Sequence, residues 1–468
     1  MKTVVFRCRS VLSRLLRLVS MFWSLVARVA AAIGTLLTPS QLVFAGYLFY
    51  VLSGWVLLCL PLSQKSTGPS SLDHLFTAMS AVSTTGLATV STGDSYTFIG
   101  QLVILVLIQL GGIGYMTLGS FIVLSRGPVL SPNRTKAAQA VFSLPASFRL
   151  DEFIRSVVRF TAVIETLGAL ALYPMLVQGG VPDPLWSAVF HSISAFCTAG
   201  FSLYNDSFMS FRADFGVNAT LAALSYLGAV GFIVCLDFWN KWRGRSQAVT
   251  LTSRIIIWAT LWLSVLGTVL MFATEVPLQG MAPADRLLAA FFQTMAALTT
   301  VGFNTVNIGE LSKASVLLLI VLMVIGASPS GTGGGIKVTT VTAILGVIRS
   351  AMRGERDVRF WGRTIPSERI WMAVAGFGFY TFILVAGVYL LDLTEATPFD
   401  QNFFEAASAL GTVGLSMGIT AGLSTLGKVI IILLMFVGRV GPVTFGAALF
   451  VRPHADSGAH IADSDLAV

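Results

Sequence analysis

Four short segments hold the residues of this chain whose types and spacing could do chemistry: FTAMSAVSTTGLAT at 76–89, FHSISAFCTAGFSL at 190–203, FQTMAALTTVGFNT at 292–305 and FEAASALGTVGLSM at 404–417. They align without gaps on Gly86, Gly200, Gly302 and Gly414. Ten residues earlier stands Phe (Phe76, Phe190, Phe292, Phe404), five earlier Ala (Ala81, Ala195, Ala297, Ala409) and two earlier Thr (Thr84, Thr198, Thr300, Thr412). The residue after each glycine is large and apolar: Leu87, Phe201, Phe303, Leu415. Each segment is too apolar for a solvated loop and too short to cross a bilayer, which takes roughly 20 residues, so it reads as a re-entrant helix followed by an extended loop. Backbone can leave helical form within a membrane only where it is buried in protein or lines water. Four such loops at one depth would line a shared axis, where rings of carbonyl oxygens can replace the hydration shell of a passing cation. Glycine lets those carbonyls be aimed inward, and the carboxyl end of each short helix adds partial negative charge. The expected chemistry is therefore cation coordination by backbone. The carbonyls of Ser83, Thr84, Cys197, Thr198, Thr299, Thr300, Gly411 and Thr412, with the four glycines, are the candidate ligands.

The elements that must position these loops follow from composition. Of 468 residues 55% are hydrophobic and 11% charged, with mean hydropathy +0.81, against about 25% charge in ordinary soluble domains. Apolar stretches recur near 41–62, 98–124, 154–178, 217–238, 254–274, 313–348, 368–391 and 427–450, which predicts eight spans. The net charge of +8 is concentrated in alternate connections. Arg126, Arg134, Lys136, Arg149, Arg155 and Arg159 lie between spans two and three. Lys241, Arg243, Arg245 and Arg254 lie between four and five, and Arg349, Arg353, Arg356, Arg359, Arg363 and Arg369 between six and seven. By the positive-inside bias these loops and both termini face the cytoplasm, so the charge implies membrane orientation rather than nucleic-acid binding. Successive glycines are 114, 102 and 112 residues apart. Each period contains two spans and one re-entrant segment and begins and ends at a basic stretch, so all units share one orientation. The expected fold is an all-α polytopic membrane protein: four parallel span–pore helix–span repeats around a pseudo-fourfold axis along the membrane normal. The units run 37–126, 150–242, 252–350 and 366–450. A basic amphipathic segment, 1–36, is expected to lie on the inner membrane face, and a cytoplasmic tail occupies 451–468.

Cys8, Cys59, Cys197 and Cys235 have neither metal-site spacing nor disulfide density. His74 and His191 stand at the re-entrant segments and His454 and His460 in the tail, so no nucleophile or metal set forms and an intramembrane enzyme is not expected. The sixth span is interrupted by Gly326-Ala327-Ser328-Pro329-Ser330-Gly331-Thr332-Gly333-Gly334-Gly335-Ile336-Lys337, which no lipid-facing helix would tolerate. A Walker loop is excluded, since Ile336 and Val338 flank Lys337 where Gly and Ser or Thr are required. Arg439, in VGRVGPV of the eighth span, lies about 11 residues from Lys428 and 13 from Arg452. At that depth it should turn inward and pair with carbonyls or a carboxylate. Glu165 in the third span is the other intramembrane ionisable residue, read equally as a packing contact or as part of a pathway. A secondary transporter usually shows intramembrane carboxylates or inverted halves, and here the repeats are parallel. A membrane scaffold leaves the fourfold loop unexplained.

On these motifs, from about residue 40 to 450, the chain resembles the Trk/Ktr/HKT superfamily of potassium transporters and channels, most closely the bacterial Ktr-type membrane subunit. The two additional N-terminal spans of Trk-type members are missing. The resemblance implies a potassium filter with one glycine per repeat, and Gly86, where sodium-favouring plant relatives carry Ser, implies potassium selectivity. It also implies that 326–337 is an intramembrane gate beneath the filter, placing Gly326, Ser328, Ser330, Gly331, Gly333, Gly334, Gly335 and Lys337 in it, with Arg439 metering cations in the cavity. Further implications are a homodimer in the bacterial inner membrane and a cytoplasmic KtrA/TrkA-like ring of nucleotide-binding regulatory subunits, with no nucleotide bound to this chain. Such members are often sodium-stimulated, and no residue here establishes sodium as an activator. The alternative is a sodium-permeable or sodium-coupled cation transporter of the same superfamily.

Overall fold

The structure is a computed structural model that describes residues 39–65, 68–114, 150–244, 249–275, 277–441, 444–446 and 448. The amphipathic segment expected at 1–36, the tail 451–468 and Arg126, Arg134, Lys136 and Arg149 lie outside them.

The chain is mostly helical. Among the described residues four helices are long and apolar enough to cross a bilayer: α1 (Pro39–Cys59), α4 (Leu150–Gln178), α8 (Leu251–Thr274) and α12 (Ser367–Thr394). Each is followed by a shorter helix, α2 (Ser71–Val82), α5 (Pro184–Phe196), α9 (Pro283–Leu298) and α13 (Phe399–Leu410), and then by α3 (Phe98–Ile113), α6 (Phe215–Val230), α10 (Lys313–Ile325) and α14 (Thr425–Val440). Two further helices continue after breaks, α7 (Phe232–Trp242) and α11 (Val338–Met352). A two-residue antiparallel ladder, β1 (Arg359–Phe360) with β2 (Arg363–Thr364), turns the chain between α11 and α12.

The apolar stretches 98–124, 217–238 and 427–450 are expected to run as spans, and the sixth, 313–348, to be interrupted. α3, α6, α10 and α14 all stop at a glycine with positive φ: Gly114 (85°), Gly231 (92°), Gly326 (66°) and Gly441 (88°). At Gly231 the axis bends by 94° between α6 and α7. Side chains rarely adopt this backbone region, so glycine sets the stopping point, and a 16-residue helix reaches only about 24 Å at 1.5 Å per residue. Hydropathy runs unbroken across three of these four points, which is why composition alone hid them.

Packing follows one rule around the molecule. α3 packs on α5, α6 on α9, α10 on α13, and α14 returns to α2, so each short helix is held by the unit before it and the series closes on itself. Polarity is arranged for a lipid solvent. Phe49, Val56, Leu170, Trp262, Phe382 and Tyr389 are exposed on the long helices, while Ser80, Ser194, Thr294 and Ser408 are buried on the short ones. All eight aligned Phe and Ala residues of the short helices are fully buried.

Candidate ion pathway

The four short helices end alike. In the first, Thr85 N–H donates to the Ser80 carbonyl (2.9 Å) and Thr84 N–H to the Ala81 carbonyl (3.1 Å). The same pair recurs as Ala199 to Ser194 with Thr198 to Ala195, Val301 to Ala296 with Thr300 to Ala297, and Val413 to Ser408 with Thr412 to Ala409. This is the Schellman closure, which requires a left-handed residue at its penultimate position, usually glycine. Here that residue is the aligned Thr, with φ of 52° at Thr84, 50° at Thr198, 59° at Thr300 and 48° at Thr412. A β-branched residue in this region is an outlier and stores about 1–3 kcal/mol. Four identical outliers at one level mark a geometry held by its surroundings.

Two residues on, the chain passes the four glycines, with φ of 90°, 66°, 78° and 97° at Gly86, Gly200, Gly302 and Gly414. A Cβ on Gly86 would fall within 3.0 Å of the Ala199 carbonyl oxygen, on Gly200 within 3.0 Å of Val301 O, on Gly302 of Val413 O and on Gly414 of Thr85 O. The contact order 86, 200, 302, 414 and back to 86 makes a closed ring in which each glycine abuts the next loop's backbone. Thr85, Ala199, Val301 and Val413, whose carbonyls make these contacts, were missing from the candidates, because one sequence does not say which loop neighbours which. The candidates at the helix ends are brought to the same level. Ser83 Oγ and Thr299 Oγ1 turn back to the carbonyls of Met79 and Met295 (2.7 Å each), Cys197 is fully buried, and Gly411 caps α13.

The Gly-rich segment 326–337 lies against the threonine side of this ring. Thr198 Oγ1 is 3.1 Å from Thr332 Oγ1, Gly334 N–H donates to Thr300 Oγ1 (2.9 Å), and a Cβ on Gly334 would collide with Thr412 Oγ1 and Gly411 O. The segment also caps the broken end of α6, whose last carbonyls need partners. Thr332 N–H donates to Gly228 O (3.0 Å), Ser328 N–H to Ala229 O (3.1 Å), Ser328 Oγ to Val230 O (2.6 Å), and Phe232 N–H to Ser330 O (3.2 Å). Gly331 packs on Ala229 O, Gly333 on Thr299 O, and Gly335 against Gly326. Lys337 sits at φ 90° at the start of α11 and donates from Nζ to Gly333 O (2.6 Å).

Arg439 reaches this floor from α14. Nη1 donates to Thr84 Oγ1 (2.9 Å) and to Thr332 O (2.7 Å), and Nη2 to Gly111 O. Of the carbonyls or carboxylate expected to meet a mid-span arginine, two carbonyls are present, the third partner is the Thr84 hydroxyl, and together with Arg439 they join the first, third and fourth units. Thr332 and Gly111 were missed. A signal for Gly111 existed in the sequence: Gly111, Gly228 and Gly438 each stand three residues before a glycine that ends a helix, and each lies against a carbonyl of its short helix, Val82, Phe196 or Leu410. Arg439 occupies the next position along, where the other units have Gly112, Ala229 and Val324.

Glu165 lies behind Cys197. Gln109 Nε2 donates to both its carboxylate oxygens (3.0 and 3.1 Å), and Cys197 Sγ is 3.5 Å from Gln109 Oε1. No group of His, Cys, Asp and Glu that could hold a metal ion occurs among the described residues.

On the opposite side of the ring Asp73, in the first turn of α2, pairs with Lys428 of α14 at 2.8 Å, clipping the last unit to the first. Burial alone would raise the Asp73 carboxyl, but the Lys428 ammonium and the Ser70 hydroxyl and amide outweigh it and hold it down to about 2. A depressed carboxylate stabilises the fold above its unfolded value and loses that contribution as pH falls through the folded one. Lys428→Met is expected to cost on the order of 2 kcal/mol at neutral pH, read as a lower melting temperature in detergent. The gap to wild type should stay constant from pH 8 to 5 and narrow below about 4; a gap independent of pH would contradict the pairing.

Residues 49–451 match the TrkH cation transport protein family. The chain belongs to that family. TrkH-family members are cation transporters rather than enzymes, and with its several membrane-spanning helices this one is a multi-pass membrane protein. It is 37% identical over 414 residues to "Ktr system potassium uptake protein B" of Bacillus subtilis, covering 87% of this chain and 92% of that protein. The protein of the same name from Vibrio alginolyticus is 37% identical over 418 residues, covering 88% and 91%. "Potassium/sodium uptake protein NtpJ" of Enterococcus hirae is 32% identical over 427 residues, covering 89% and 94%. The crystal structure of the potassium transporter TrkH from Vibrio parahaemolyticus matches with a TM-score of 0.66 at 20% identity, covering 87% of this chain and 85% of that one, a likeness of fold.

Proposed function

We propose that this protein takes up potassium through a gated, channel-like pore, as the ion-translocating subunit of a Ktr-type system. The observation that carries the proposal is the closed ring of four glycine loops, each set against the next by backbone alone. In this reading the four units stand parallel around a pseudo-fourfold axis, with re-entrant α2, α5, α9 and α13 aiming their carboxyl ends at it. Potassium enters from outside, exchanges water for carbonyls at the level of Thr84, Thr198, Thr300 and Thr412 and the four glycines, and reaches a cavity floored by Arg439 and 326–337. Conduction is passive and down the electrochemical gradient. It requires 326–337 to leave the threonines, breaking the Thr332 and Gly334 contacts. The homologues are named as parts of a Ktr system, which supports a partner; we assign it as a cytoplasmic KtrA/TrkA-like ring acting on a homodimer in the bacterial inner membrane, with both termini cytoplasmic.

The name of the Enterococcus relative supports a second reading in which sodium also permeates or activates. Reconstitution of the purified protein with its regulatory subunit in liposomes separates the two. Potassium flux that sodium neither competes with nor accelerates supports the first. Equal sodium flux supports the second, and no flux of either ion rejects both.

A further inference from the structure

Nine residues before each ring glycine stands a buried polar residue of a different type: Thr77, His191, Gln293 and Glu405. Their neighbours on the short helices, Phe76, Phe190, Phe292 and Phe404, are ordinary core. Buried polar groups need partners, and three of these make hydrogen bonds to the chain that leaves the ring, although Gln293 Oε1 has none. His191 Nε2 accepts from Leu203 N–H (3.2 Å) and lies 3.1 Å from Ser202 Oγ. Its Nδ1, 2.8 Å from the Ser187 carbonyl, must then carry the proton, since an amide only donates and a carbonyl only accepts. His191 is thus a neutral strut in one tautomer. Gln293 Nε2 donates to Thr305 Oγ1 (3.1 Å). Glu405 accepts from Ser416 Oγ (2.9 Å) on one oxygen and from Thr420 Oγ1 on the other. Ser202, Thr305 and Ser416 stand two or three residues after their glycines. In the first unit Thr77 is too short for this reach, and the Tyr96 hydroxyl bonds it instead (3.2 Å), held in turn by His74 (3.0 Å).

A second tier lies nearer the ring. Gly86 N–H donates to Ser80 Oγ and Gly414 N–H to Ser408 Oγ (3.0 Å each), and Ser194 Oγ donates to Phe201 O (2.8 Å). The third unit has Ala296 at that place and keeps only its Gln293 tie.

Resting on the pore reading above, we propose that Glu405, Gln293 and His191 are positioning residues of ion selectivity. They hold the outgoing strands back against the short helices and so fix the width at which the four loops meet. They touch no ion. Their effect passes through Ser416, Thr305 and Ser202, because a strand freed on its outer side lets its carbonyls follow the smaller sodium ion inward. The fourth unit carries most of this burden, since Glu405 grips two hydroxyls where Gln293 grips one.

The test is the potassium-to-sodium flux ratio of the full protein with its regulatory subunit in liposomes. Glu405→Ala should lower that ratio by about tenfold or more, since it removes two hydrogen bonds that hold the outgoing strand. Glu405→Gln, the residue the third unit already uses, should restore it to within about twofold of wild type. Should Glu405→Ala fail to assemble, Ser416→Ala with Thr420→Val removes the same ties from the strand side and should give the same fall. An unchanged ratio in the alanine or paired variant, with wild type selective, overturns the proposal. So does Glu405→Gln behaving like Glu405→Ala, because charge rather than position would then be responsible. A wild type without potassium flux would instead overturn the pore reading on which the proposal rests.

Discussion

Gly334→Ala is expected to pass potassium without its regulatory subunit. A methyl group at that position would lie inside 3.0 Å of both Thr412 Oγ1 and the Gly411 carbonyl, where carbon contacts settle near 3.5–4.0 Å. The carbonyl belongs to the cap of α13 and cannot swing away as a side chain could. Overpacking of this kind costs about 1–3 kcal/mol, and here it falls only on the state in which 326–337 touches the ring. A strain confined to one of two states shifts their ratio by about 5–150-fold. Flux through liposomes lacking the regulator should rise by a comparable factor, with Gly378→Ala, whose Cβ meets nothing within 4 Å, as the control. Regulation identical to wild type would mean that the segment is a fixed part of the wall and not a gate.

Arg439→Gln is expected to raise unregulated flux and lower stability together, and Arg439→Lys is expected to separate the two. The guanidinium places a positive charge under the ring while tying its own fourth unit to Thr84 and Gly111 of the first and Thr332 of the third. A cation about 7 Å from another at an effective dielectric near 20 is opposed by roughly 2 kcal/mol, so neutralising the charge should speed passage by about tenfold or more. Lysine keeps the charge without the planar fork. It should conduct like wild type yet melt lower, because one ammonium cannot satisfy three acceptors spread over two other units. If the lysine variant conducts as fast as the glutamine variant, the restraint lies in the ties and not in the charge.

Much of this arrangement could be read from residues, and the part that could not has physical causes. The aligned Phe, Ala, Thr and Gly columns stood out because four copies of one backbone geometry impose the same steric demands four times. Phe76, Phe190, Phe292 and Phe404 are all fully buried, and the four threonines share one φ range. Thr in that conformation was beyond reach, since intrinsic preference argues against a β-branched residue there. Only the surrounding ring makes it hold. The breaks at Gly114, Gly231 and Gly441 were hidden because a hydropathy window averages over a single residue, whereas Gly326 opened a polar run long enough to register. For Arg439 the residues suggested carbonyls or a carboxylate as partners, yet the Thr84 hydroxyl and the Thr332 and Gly111 carbonyls are set by the way units meet. That meeting is a property of tertiary packing. Glu405 went unnoticed because the −9 position carries four different residue types, Thr77, His191, Gln293 and Glu405, which no column comparison aligns.

The central claim is that potassium passes where the four glycines meet, and growth tests it most directly. A potassium-uptake-deficient bacterium carrying this protein and its regulatory subunit would be grown on low potassium beside strains with Gly86→Ser, Gly302→Ser and, as a control in open space, Gly280→Ser. Immunoblots of the membrane fraction would establish equal amounts. Wild type and Gly280→Ser are predicted to restore growth, and the two ring variants to lose it or to admit sodium in its place. Ring variants that restore growth as well as wild type, with potassium still preferred, would contradict the account.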